Sequence, residues 1–154
     1  MKRLFVLVVL VVLVFAAVGS MRAEGDPRIG SWKLNVAQSK ATPGPLPAGE
    51  TRTYAAQGSD IMVTAEIDDA KGGHRSTHTN VTADGTDRPA GPANGGVTIS
   101  VKLLGPGSYA GTQKKDGKVT STNRAVISKG GKVFTFTTKG TDGKVTSVLV
   151  YDKQ

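Results

Sequence analysis

Cysteine is absent from all 154 residues. The chain therefore has no disulfide, no thiolate metal site, no cysteine nucleophile and no lipid-bearing cysteine of the bacterial lipoprotein kind. Aromatic residues make up only 5% of it, with a single tryptophan, too few for the stacking platforms on which single-stranded nucleic acid is held. Catalytic motifs are lacking too: there is no Gly-x-Ser-x-Gly elbow, no phosphate-cradling glycine loop and no carboxylate pair spaced for acid–base chemistry. The expectation is a binding or structural protein rather than an enzyme, with no cofactor, no metal and no nucleic-acid partner. Without disulfides, such a domain must be held by its own core.

One long hydrophobic run is present. Lys2 and Arg3 precede an uninterrupted apolar stretch over residues 4–18, followed by Gly19, Ser20 and Arg22. A membrane span needs roughly 20 apolar residues, and this run is shorter, so residues 1–23 read as a secretory signal peptide cleaved after Gly19, Ser20 or Ala23. The mature protein is then exported, periplasmic or extracellular, with no stable membrane anchor. Residues 24–154 suit one domain, monomeric and large enough for a real core. Loss of Lys2, Arg3 and Arg22 leaves 17 basic against 12 acidic residues. Most of this charge falls at turns and polar faces, where it blunts strand edges.

The mature part reads as strands cut by turns. Period-two patterns cover residues 51–57, 60–67, 74–82, 97–103, 108–114, 118–127, 132–139 and 144–151. With a first strand at Trp32 that makes about nine, or ten if residues 86–89 form a short one. Residues 36–49 carry Pro43, Pro45 and Pro47 and read as a crossing loop. Asp116-Gly117 and Asp142-Gly143 are type I′ hairpin dipeptides. The words Asp-Gly-Lys-Val-Thr-Ser occur at 116–121 and again at 142–147, which reads as one hairpin solution used twice. Val97, Ile99, Val101 and Leu103 share a buried face, as do Phe134 and Phe136. Residues 74–82 are polar on both faces and 84–96 are rich in Gly and Pro, so the sheet should be weakest or open there. Tight hairpins favour an up-and-down barrel over a sandwich with Greek-key crossings.

Three motifs carry a resemblance. Gly30-Ser31-Trp32-Lys33-Leu34 is similar to the Gly-Thr-Trp-Lys-Leu opening of intracellular fatty-acid-binding proteins, Gln113 to Lys118 to their Gln-Arg-Trp-Asp-Gly-Lys hairpin, and Val150-Tyr151-Asp152-Lys153 to their Ile-Tyr-Glu-Lys ending. The chain thus resembles the lipocalin and fatty-acid-binding (calycin) superfamily. The resemblance implies an all-β antiparallel meander barrel around a lipid or other small hydrophobic ligand. The family's two-helix lid is replaced here by the proline-rich loop. Of its carboxylate clamp only Tyr151 remains: one arginine position holds Leu149 and the other holds Lys114, and leucine cannot supply a bidentate fork.

The candidate residues follow. Gly30 and Trp32 are expected to close the barrel structurally, Trp32 under a basic side chain from Arg124 or Lys153. Tyr54, Tyr109 and Tyr151 offer apolar bodies with hydroxyl tips, suited to a greasy pocket with few polar anchors. Lys114 and Arg124 are the candidate anion anchors, Arg124 only if it points inward. His74 and His78 would lie roughly 13 Å apart along a strand at ~3.3 Å per residue, too far to share one ion. The expected function is an exported lipocalin-like binding protein for a small apolar or amphipathic ligand. The alternative is an envelope structural or interaction protein, or an inhibitor, with a filled barrel and basic loops.

Overall fold

The computed structural model describes residues 25–91 and 95–154, so the leader expected over residues 1–23 lies outside them. Eleven strands follow in order: β1 (Gly30–Leu34), β2 (Lys40–Ala41), β3 (Gly49–Gln57), β4 (Asp60–Asp68), β5 (His74–Val81), β6 (Arg88–Pro89), β7 (Val97–Gly105), β8 (Ser108–Lys115), β9 (Lys118–Ile127), β10 (Val133–Gly140) and β11 (Val145–Lys153). They form one antiparallel sheet, ordered β5-β4-β3-β1-β11-β10-β9-β8-β7-β6, with β2 added on β11. The ten strands of this path are a meander curled into a half-barrel. No helical lid follows β1; a 3-10 turn at Val36–Gln38 and the two-residue β2 occupy the proline-rich crossing.

Closure is less complete than a full barrel. The terminal strands β5 and β6 share no ladder, and the gap beside them is spanned by a 3.5 Å bond from Thr79 Oγ1 to the Ala90 carbonyl. This opening falls where the two-faced polarity of residues 74–82 and the Gly/Pro content of 84–96 predicted it. The short β6 is the tenth strand that residues 86–89 were expected to supply.

The repeated words do not make the same turn twice. Asp116 and Gly117 both have positive φ, 49° and 78°, giving the two-residue type I′ hairpin between Lys115 and Lys118. In the second copy Gly143 alone is positive, and a longer loop closes with Gly140 N–H donating to the Lys144 carbonyl at 3.0 Å. What recurs is the bulge beyond the turn. The pairing skips Thr120 in one hairpin and Thr146 in the other, and each threonine hydroxyl donates back across the ladder, to the carbonyls of Gln113 (3.2 Å) and Thr138 (3.3 Å).

All six aromatic residues after residue 24 sit in the interior. Trp32 is fully buried, its ring 5.1 Å from that of Phe134, which also meets Tyr54 at 5.7 Å and Phe136 at 4.4 Å. Tyr151 meets Phe136 edge-on, and Tyr109 is buried on β8. Trp32 is capped from outside by Lys153, whose Nζ lies 4.9 Å from the ring centroid. Lys153 and not Arg124 is therefore the basic partner. Gly30, at φ 120°, leaves room for it: a Cβ there would sit 3.2 Å from the Lys153 side chain. Since Trp32 has no exposed surface, Trp32→Ala should cost roughly 3–5 kcal/mol in a urea or guanidinium melt. A midpoint unmoved by that change contradicts the role assigned to the ring.

Candidate ligand-binding cavity

Above the aromatic floor lies a cavity of about 320 Å³. Its walls come from alternate residues of consecutive strands, because every second side chain of a strand faces the same way. Val63, Ala65 and Ile67 of β4 and Ile99 and Val101 of β7 supply aliphatic wall, and Phe134 and Phe136 line it from β10. Thr77, Thr79 and Asn123 add hydroxyl and amide groups. Asn123 fits because its cross-strand partner is Gly111, where a Cβ would come within 2.5 Å of the Asn123 amide oxygen.

Two buried ion pairs bound the space. The first seals the floor. Arg28, 4% exposed, donates from Nε and an Nη to the two Asp26 carboxylate oxygens at 2.9 and 2.8 Å, and its guanidinium lies 4.2 Å over the Tyr109 ring. The Tyr109 hydroxyl donates to Asp26 at 3.0 Å, and Trp32 Nε1 donates to the Arg28 carbonyl at 2.7 Å. Burial alone would raise the Asp26 carboxyl, but the hydrogen bonds and charge of Arg28, with the Tyr109 hydroxyl, hold it below its ordinary 3.8.

The second pair stands on β3, where Glu50, Arg52 and Tyr54 share the inner face. Arg52 Nε donates to the Glu50 carboxylate. The Arg52 guanidinium lies 5.0 Å from the Phe136 ring centroid and 4.9 Å from that of Tyr151. The side chain of Glu50 is 4% exposed and that of Arg52 25%. Tyr151 is fully buried. Burial pushes the Tyr151 phenol up, with Arg52 pulling against it.

The five candidate binding residues are thus divided. Tyr54 and Tyr109 line the cavity. Tyr151 lies outside the lining, behind the Arg52 guanidinium. Lys114 and Arg124 face outward: Lys114 pairs with Asp87 at 2.5 Å, and Arg124 is exposed and bonds Ser108 Oγ at 3.2 Å. Sequence reasoning missed both arginines that do face inward, Arg28 and Arg52. The period-two placement of Glu50, Arg52 and Tyr54 on one face was the available signal for the second. Nothing marked the first, which lies ahead of any strand. His74 and His78 are exposed on the outer face, His74 bonded to Asp68 (2.7 Å) and Glu66 (3.0 Å).

No protein-family model matches the chain, and no curated protein does. Solved structures do. The structure of zebrafish ileal bile-acid-binding protein complexed with cholic acid superposes with a TM-score of 0.52, at 17% identity, over 84% of this chain and the whole of that one. This likeness shows the fold, an antiparallel half-barrel like that of the bile-acid-binding protein.

The Asp26–Arg28 knot predicts an acid limb of known sign. A carboxyl depressed in the native state stabilises the fold above its unfolded pKa, and that contribution is lost as the pH falls below about 4. Asp26→Asn should lower Tm at neutral pH and flatten the decline of stability below about pH 4. Tm followed across a pH series checks this; an acid limb as steep as in the unsubstituted protein counts against it.

Proposed function

We propose that this chain is an exported binding protein that holds one small apolar or amphipathic molecule inside its half-barrel. The observation that carries the reading is the cavity itself. Its volume of about 320 Å³ falls at the lower end of the roughly 300–1,000 Å³ typical of small-molecule sites. Aliphatic and aromatic side chains make up more than half of its lining, with polar and charged groups among them, and such a mixed apolar wall suits a small-molecule site. Support comes from the structural neighbour, whose title names a bile-acid-binding protein complexed with cholic acid. Residues 1–23 act as the leader and residues 24–154 as the carrier. Tyr54 and Tyr109 make the deepest contacts with the ligand, and Tyr151 holds Arg52 in place from behind.

The filled-barrel alternative has one observation on its side, since the aromatic cluster packs the floor solidly. Ligand must therefore lie above Phe134 rather than along the whole axis. Native mass spectrometry of protein purified without delipidation should show an adduct of a few hundred daltons that organic extraction removes. Val101→Trp, which fills the cavity from β7, should abolish that adduct while leaving the β-sheet circular dichroism intact. A homogeneous ligand-free mass, with no thermal shift from a panel of lipids, would point to the filled-barrel reading instead.

A further inference from the structure

Resting on that reading, the electrostatics of the cavity narrow the ligand further. Arginines on a cavity wall ordinarily invite a carboxylate, because a planar guanidinium matches it bidentately. Here the two inner guanidinium groups already have partners. Arg28 spends Nε and an Nη on Asp26 and one face on Tyr109. Arg52 is bonded to Glu50 and lies against the rings of Phe136 and Tyr151. Glu50 also lines the cavity, with a side chain 4% exposed. A ligand carboxylate brought to Arg52 would meet this second carboxylate at close range in a poorly solvated site, where like charges repel strongly. The third lining cation, Arg75, is exposed at the start of β5, and its charge is screened by solvent.

We infer that the cavity selects an uncharged amphipathic ligand, an apolar body bearing a hydroxyl or amide group, and that Glu50 excludes carboxylates by neutralising Arg52 and repelling a second anion beside it. The polar groups on the wall fit such a head: the Thr77 hydroxyl and the Asn123 amide each donate and accept, and the Thr79 hydroxyl, which donates to the Ala90 carbonyl, keeps lone pairs to accept. The Asn123 amide is held toward the cavity by the space over Gly111, a specific placement rather than a surface accident. Glu50 is the specificity residue. Removing its charge while keeping its shape frees Arg52 for a ligand anion.

The test is displacement of the uncharged dye N-phenyl-1-naphthylamine by dodecanol and by dodecanoate at pH 8, where the acid is ionised. An alcohol partitions better into any apolar site, so the diagnostic is how the ratio of the two affinities changes between variants. Glu50→Gln should raise dodecanoate affinity about tenfold relative to dodecanol, the effect of exchanging a repelling carboxylate for an unpaired guanidinium. Glu50→Gln/Arg52→Gln, which removes both charges, should not show that gain. If Glu50→Gln fails to fold, Glu50→Ala, which removes the same charge, is read by the same ratio and should move it in the same direction. A ratio unmoved in a folded Glu50 variant overturns the inference and leaves the binding reading standing. Failure of the dye and both ligands to bind overturns the binding reading, and the inference with it.

Discussion

The pairing of the first strand with the last is the constraint on which the molecule depends. In the sheet order, β5, β4, β3 and β1 form one flank and β11 to β6 the other, and β1–β11 is the ladder between them. It is short, with three register pairs from Trp32↔Lys153 to Leu34↔Tyr151, so other contacts extend it. The buried Ser39 hydroxyl accepts from the Val150 N–H at 2.9 Å, Asn35 Nδ2 donates to Asp152 at 2.8 Å, and β2 adds two pairs on β11. At the lower end Gln154 N–H reaches the Ser31 carbonyl at 3.0 Å, and Lys153 Nζ reaches the Ile29 carbonyl at 3.0 Å while covering Trp32. The crossing loop, which contributes little regular structure, works mainly as a fastening over this seam.

The seam also explains how so few aromatics suffice. Leu34 and Tyr151 face each other across it, and Phe134 packs against Trp32 from the next strand. The rings thus bridge both flanks, and each buries area against residues far away in sequence. Aromatic side chains supply large apolar area and specific ring geometry per residue. That economy leaves the aliphatic walls of β4 and β7 free to bound a space instead of filling it.

The backbone plan could be read from the sequence because alternation and turn chemistry are local. Val97 to Leu103 announced one buried face, and Asp116-Gly117 announced a tight hairpin. The opening beside β5 was legible for the same reason, as a strand polar on both faces has nothing to bury. The repeat misled, since identical words at 116–121 and 142–147 close with different loops: Asp116 takes a positive φ and Asp142 does not. The polar interior was the hardest part. Arg124 reads ambiguously as a charge beside apolar residues, yet Ala125 and Ile127 are buried on the inner face of its strand and put Arg124 outside. Arg52 looked like an ordinary alternating residue, and only three-dimensional packing brings it between Phe136 and Tyr151. Arg28 owes its burial to Tyr109, 81 residues away, a relation no local pattern expresses.

That β5 and β6 end the sheet without pairing each other, among the described residues, has a mechanical consequence. In a sealed barrel, diameter and tilt are locked by strand number and stagger, and any change of girth must break ladder bonds. A curled sheet whose rims do not pair has a further freedom: it can tighten or relax its coil about the β1–β11 spine while every ladder stays intact. Its capacity is then a matter of curvature, adjustable to the girth of whatever occupies it, and the Thr79–Ala90 contact is a latch on that adjustment instead of a weld.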